Sequence, residues 1–269
     1  MTILDPAPLK ELQKFIWSQG DFERVAAETA AVAEALVEAA GVAAGERVLD
    51  VAAGTGNVAV AAAALGARVV ASDLTPKMVE IGRRRTHGMS IEWIEADAEA
   101  LPFADSTFDR VLTSFGAMFA PRPAVTAREL FRVVRPGGTV AMANLTPDSF
   151  PGRSFDVQAR MLELPEDAPR PMLWGVEAVA RERLGPYAAD LRIERRAMVM
   201  VHPSVDAMLE FQQRNVGPVV AARMVLGDRF EALAAELRAV MSELNCATDG
   251  TLRIESPYLL IVASAPGSS

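Results

Sequence analysis

The sequence predicts an α/β fold with a parallel sheet, and three observations carry that expectation. Short apolar runs alternate with helix-patterned segments between residues 47 and 144, the signature of repeated strand–helix units. One run, Arg47-Val48-Leu49-Asp50-Val51, passes into a tight turn, Ala52-Ala53-Gly54-Thr55-Gly56-Asn57, and then into an Ala-rich helix. Three acids, Asp50, Asp73 and Asp97, fall where successive strands end. In an open parallel sheet those ends share one edge, and ligands bind there.

The elements follow in order. Leu9, Leu12 and Ile16 share one side of a helix over 8–19; Gly20-Asp21 interrupts it, and Val25, Thr29, Val32 and Leu36 continue on a second helix over 22–40. The alternation then reads strand 47–51, helix 58–65, strand 68–72, a helix from Thr75-Pro76 to Arg85, and strand 90–95. Thr75 is placed to cap its helix, and Pro76 suits the first helical position, where a missing N–H breaks no hydrogen bond. Strand 109–114, helix 123–134 ended by Pro136-Gly137-Gly138, and strand 139–144 complete the core. Prolines 147, 151, 165, 169 and 171 predict an irregular segment with one helix near 155–162. Beyond it come helix 176–184, strand 193–201, helices over 204–244 broken at Gly217-Pro218 and Gly227, and strand 251–263. Pro257 predicts that this last strand is bent or at an edge, and the tail 265–269 should fray. The chain reads as a single domain over 1–269, with N-terminal helices over 1–44, a cofactor-binding core over 45–147 and a substrate-facing part over 148–269.

Composition narrows the function. A chain of 269 residues that is 51% hydrophobic can bury a sizeable core. No window has the length and apolarity of a membrane span, and the first residues lack the basic-then-apolar pattern of a secretory leader. The single cysteine, Cys246, excludes an internal disulfide framework and suits a reducing cytoplasm. A net charge of −8 argues against nucleic acid as a partner. The basic runs Arg83-Arg84-Arg85 and Arg192, Arg195, Arg196 are short, lie among acids, and read as solvated faces. Neither a membrane partner nor an oligomeric state is read from the chain.

The turn presents bare backbone at a helix N-terminus, a site for a small polar cofactor. Gly54-Thr55-Gly56-Asn57-Val58-Ala59 also fits the G-x-G-x-x-A dinucleotide fingerprint, so an NAD(P)-dependent oxidoreductase is a rival reading. Asp50 weighs against it. A carboxylate on the lip of the turn repels a pyrophosphate and suits a ligand carrying an ammonium and a sulfonium, which points to S-adenosylmethionine. Asp73 can accept hydrogen bonds from both hydroxyls of a ribose. The Asp97 carboxylate can accept from the exocyclic amine of adenine, and the Ala98 N–H can donate to a ring nitrogen. Asp109 opens its strand at the opposite end and reads as structural.

Four segments, VLDVAAGTGNVAVAAA, VVASDLTPKMVE, EADAEALPFADSTFDRV and ELFRVVRPGGTVAMANLTP, resemble in this order the signature segments of class I S-adenosylmethionine-dependent methyltransferases. The resemblance is to the ubiquinone/menaquinone-methyltransferase-like branch (methyltransferase type 11), which includes many small-molecule methyltransferases of secondary metabolism, and it covers about residues 45–147. It implies a Rossmann-like, mostly parallel seven-stranded sheet flanked by helices, with an N-terminal helical lid and a helical insertion near the C-terminus. It also implies roles. Asp50 and the turn Ala52, Ala53, Gly54, Gly56 and Asn57 would hold the methionine end of the cofactor. Asp73 would bind ribose, Leu74 and Met78 would flank adenine, Asp97 and Ala98 would read its amino edge, and Ser114 would approach the methionine moiety. The family often carries glycine where this chain has Ala52; tolerance is expected because Gly54 and Gly56 remain. The implied activity is methyl transfer to an oxygen, nitrogen or carbon of a small molecule. The alternative is a protein that binds the cofactor without turnover.

Such a transfer needs alignment and exclusion of water more than acid–base groups. His202, before Pro203, and Asn144 are weak catalytic candidates, and His87 sits in a turn. No spacing of His, Cys, Asp or Glu suggests a metal. Candidate substrate walls are Trp17 and Phe22 beside the Gly20 break, Phe115 and Phe119 after the fourth strand, Asn144 at the end of the fifth, and Trp174 and Phe211 beyond. A pocket lined this way favours a planar or apolar small molecule. Met118, Met142, Met198 and Met200 read as core filler.

Overall fold

Two helices precede the sheet: α1 (Pro6–Ser18) and α2 (Phe22–Ala39). They belong to a computed structural model that describes residues 6–267, so Met1–Asp5, on which the leader expectation partly rests, and Ser268–Ser269 lie outside it. Gly20 makes the break between the helices. It has φ +74°, and a Cβ there would meet the Asn215 carbonyl oxygen at 2.2 Å. Asp21 caps α2 by accepting from the Glu23 and Arg24 N–H groups. Val32 and Leu36 are buried as their spacing predicts, whereas Val25 and Thr29 turn toward a cavity described below.

Seven strands form one sheet in the order β3-β2-β1-β4-β5-β7-β6: β1 (Arg47–Val51), β2 (Arg68–Asp73), β3 (Ile91–Glu95), β4 (Phe108–Ser114), β5 (Val134–Leu145), β6 (Asp190–His202) and β7 (Leu252–Ser264). Only β7 runs antiparallel to its neighbours. The crossovers are α3 (Asn57–Ala64), α4 (Pro76–Arg85) and α5 (Pro123–Val133). Strand order reverses between β1 and β4, which opens a crevice at their C-terminal ends. β1 is buried from Val48 to Val51, as expected for a strand covered on both faces. After β5 come α6 (Phe150–Met161), α7 (Glu177–Leu184), α8 (Val205–Asn215), α9 (Gly217–Leu226) and α10 (Phe230–Leu244). The helix breaks at Gly217-Pro218 and Gly227 fall where expected. Among the described residues no helix is long and apolar enough to cross a membrane.

Four local expectations need correction. Pro257 does not put β7 at an edge, because β7 lies between β5 and β6. Its pairing with β5 covers only Tyr258–Ser264, so Pro257 sits one residue beyond that ladder and interrupts nothing on the β5 side. The helix expected near 155–162 begins at Phe150, capped by the Ser149 hydroxyl on the Gly152 N–H; Pro151 falls in its first turn, where proline is tolerated. Thr75 occupies a cap position without a capping side-chain bond, and the Asp73 carboxylate accepts its N–H instead at 2.8 Å. The tail stays paired through Pro266, which accepts from the Gly137 N–H, while Ala265 donates to Gly138. Asp109 is structural as read, accepting the Arg47 N–H at 2.7 Å and pairing with Arg135.

Candidate cofactor and substrate cavity

A cavity of about 280 Å³ opens at the C-terminal ends of β1, β2 and β4. Of the residues expected around a cofactor, Asp50, Ala52, Ala53, Gly54, Asn57, Asp73, Leu74, Met78, Asp97, Ala98 and Ser114 line it. Gly56 does not. It sits behind the turn with φ +92°, and a Cβ there would come within 2.7 Å of the Trp93 ring. Its lack of a side chain serves the packing of α3 on Trp93.

The turn is held by its acids. Asp73 accepts the Gly54 N–H through one oxygen and the Thr75 N–H through the other, each at 2.8 Å. Burial pushes its carboxyl up to about 6, against the pull of those two bonds. Asp50 is 1% exposed, and its Oδ2 accepts the Ala59 N–H at 3.0 Å. Its Oδ1 is buried with no hydrogen-bond partner. Burial, and secondarily the charge of Asp73, push the Asp50 carboxyl well above the usual range, while the Ala59 bond opposes them. An unpartnered carboxylate oxygen at a cavity wall is costly unless a donor or cation reaches it. The residues present therefore fit a cationic group beside the turn. Gly54, with φ +57° and open space where a Cβ would stand, leaves the backbone free to be approached.

Ala52 itself has φ +53°, a left-handed conformation that costs a residue with a Cβ about 1–2 kcal/mol. Glycine there would remove that strain but lose about 0.5–1 kcal/mol in chain entropy. Ala52→Gly is therefore expected to leave stability unchanged or raise it by up to about 1 kcal/mol. Thermal melting checks this, and a clear loss of stability would show that the methyl group is needed for packing.

Asp97 is less free than its sequence position suggests. Its Oδ2 receives Lys10 Nζ from α1 at 2.5 Å, and its Oδ1 accepts the Glu99 N–H at 2.8 Å. Lys10 also pairs with the buried Glu99 at 2.6 Å, and Glu99 in turn holds Arg122. Burial disfavours the Lys10 charge, but the bonds to Asp97 and Glu99 outweigh it and raise its pKa. Arg85, expected on a solvated face, is exposed yet reaches back to the Thr55 carbonyl at 3.1 Å.

On the substrate side, Trp17, Phe22, Phe115 and Phe119 line the cavity as expected. Trp17 packs its ring on Phe22 and Phe119, with centroids 5.6 and 4.7 Å apart. Four candidates lie elsewhere. Trp174 is a core residue, 1% exposed, under the Arg183 guanidinium. Asn144 is buried on the face of β5 opposite Leu145, which does reach the cavity; side chains alternate along a strand. Phe211 packs against His202, with centroids 5.2 Å apart, and neither touches the cavity. Met198 and Met200, expected as filler, line the cavity, as do Lys10, Gln13, Glu28, Phe155, Gln158 and Gln212, which sequence reasoning did not single out. Glu28 offered a signal, lying on the same side of α2 as Val25 and Thr29.

Known proteins resemble this chain in sequence and in fold. The model of a methyltransferase domain matches residues 49–142. An uncharacterized protein of Mycobacterium tuberculosis is 38% identical over 274 residues, covering 98% of this chain and 99% of that one. A demethylmenaquinone methyltransferase of Clavibacter sepedonicus is 44% identical over 117 residues, covering 42% of this chain and 48% of that one. Among solved structures, the YcgJ protein of Bacillus subtilis has a TM-score of 0.60 at 17% identity, over 88% of this chain and 98% of that one, a likeness of fold. Motif order, sheet topology and these matches together place the chain in the class I S-adenosylmethionine-dependent methyltransferases.

Proposed function

We propose that the chain methylates a small, planar and largely apolar molecule. The observation that carries the reading is the cavity itself. An acidic, backbone-rich wall with an unpartnered Asp50 oxygen faces a wall of Trp17, Phe22, Phe119 and Phe155. S-adenosylmethionine supplies the electrophilic methyl group and the thioether leaving group. Asp73 binds the ribose hydroxyls, Asp50 attracts the positive end, Leu74 and Met78 flank the base, and Ala98 donates to its edge. The aromatic wall holds the acceptor flat and keeps water out. Fixing acceptor and methyl in line removes up to roughly 7–11 kcal/mol of entropic barrier in favourable cases, so positioning can supply much of the rate.

The test is incubation with isotopically labelled S-adenosylmethionine and a fractionated metabolite extract. A labelled product one methyl group heavier than an apolar acceptor, absent with Asp73→Ala, is the expected outcome. Label appearing only in protein or nucleic acid would overturn the small-molecule reading.

A further inference from the structure

We propose that Glu28 takes the proton from the acceptor, so that the substrate is a hydroxyl borne on the planar apolar body. The inference rests on the methyltransferase reading above and deepens it. Among the described residues that line the cavity, four are carboxylates: Asp50, Asp73, Asp97 and Glu28. The first three belong to the strand ends around the turn. Glu28 alone comes from a helix, α2, which also gives Phe22 and Val25 to the cavity.

Its geometry suits proton transfer. His202 Nε2 lies 2.8 Å from Glu28 Oε1; with the proton on Nε2, the ring donates and fixes the carboxylate. Oε2 has no partner among the described residues. The two side chains are 19% and 11% exposed, sheltered but not sealed, so a proton taken from the acceptor can pass on to solvent. Phe211 packs at a tilt against the His202 ring. That contact gives His202 and Phe211, which the cavity itself leaves aside, a positioning role behind Glu28.

The base is also held in register with the cofactor. Asn57, in the turn, donates through Nδ2 to the Ala26 carbonyl at 2.7 Å and to the Thr29 hydroxyl at 3.2 Å. These two partners bracket Glu28 in sequence, so the turn that places the cofactor also places the carboxylate. In the step, the acceptor O–H bond breaks and its proton goes to Glu28 Oε2. The acceptor oxygen forms the new bond to the methyl carbon, and the electron pair of the breaking carbon–sulfur bond leaves with sulfur. A neutral aromatic hydroxyl is a weak nucleophile, and a positioned base raises its reactivity typically by ~10²–10⁴.

The experiment uses a series of para-substituted phenols, from 4-methoxyphenol to 4-nitrophenol, with S-adenosylmethionine. Glu28→Gln is expected to lower kcat by ~10²–10⁴ for 4-methoxyphenol and far less for 4-nitrophenol, a substantial fraction of which is already ionised near neutral pH. Glu28→Asp should recover part of the loss. His202→Ala should lower kcat with little change in KM, and His202→Gln, which restores a donor, should recover part of it. Equal losses across the series, melting shifts without loss of turnover per folded molecule, or no phenol methylated by a wild type that binds the cofactor would each overturn the inference. A wild type that fails to bind the cofactor would instead remove the reading beneath it.

Discussion

Asp73→Ala should weaken S-adenosylmethionine binding by ~10²–10⁴, because the proposed ribose contact consists of two hydrogen bonds to a charged carboxylate, each about 1.5–3 kcal/mol, which disappear together. The variant also strands the Gly54 and Thr75 N–H groups, which now donate to that carboxylate at 2.8 Å, so part of the loss comes from a loosened turn. The pH dependence separates the two effects. Burial raises the folded Asp73 carboxyl to about 6, from 3.8. Between those values the folded, unliganded chain binds more protons than the unfolded chain, so this group's contribution makes stability fall as pH rises through the window. In the proposed ribose contact the hydroxyls donate to the ionised form, so affinity should fall as pH drops below about 6, approaching a tenfold loss per pH unit for one linked proton. Calorimetric titration across this range in wild type and Asp73→Asn measures it. The variant should lose the dependence, and an equal dependence in both would assign the proton to another group.

Gly116→Ala should be among the most damaging single-methyl substitutions near the cavity. A Cβ there would stand 2.2 Å from the Ala52 carbonyl oxygen and 2.7 Å from its methyl group. These atoms are where the end of β4 meets the turn after β1, at the reversal of strand order. A flexible side chain could swing away from such a contact, but the oxygen belongs to the backbone of the glycine-rich turn. Overpacking costs typically about 1–3 kcal/mol, and a backbone neighbour puts this site at or above the upper end. The expected fall in melting temperature is roughly 6–12 °C, with weaker cofactor binding because the turn must shift. Gly185→Ala is the control, since nothing lies within 4 Å of its Cβ position and its backbone is right-handed helical. If both variants melt alike, the close approach of Gly116 to Ala52 is not a constraint.

Much of the fold was legible because its signals are local. Strand 47–51, the Gly20 break and the interruptions at Gly217 and Gly227 each depend on a few neighbouring residues, and all stand where expected. The place of β7 was not, since whether Pro257 disturbs a sheet depends on which strand lies beside it and how far that strand extends. The site divides the same way. Asp50, Asp73 and the turn are tied to strand ends by the register of the sheet, so sequence position decided where they stand. Lys10 and Gln13 reach the cavity from α1 through a tertiary contact with no local mark, whereas Glu28 shares a side of α2 with Val25 and Thr29 and could have been found from that spacing. Asn144 was within reach of reasoning. It shares a face of β5 with the fully buried Met142, and the two-residue period of a strand sets it apart from Leu145.

The central claim is that buried acids beside a bare turn select a positively charged adenosyl donor over a diphosphate. Calorimetry of the purified chain with S-adenosylmethionine, S-adenosylhomocysteine and NADPH in turn tests it most directly. The account predicts saturable one-to-one heats with the first two and none with NADPH. Tight binding of NADPH, with no heat from either sulfur-containing ligand, would contradict it.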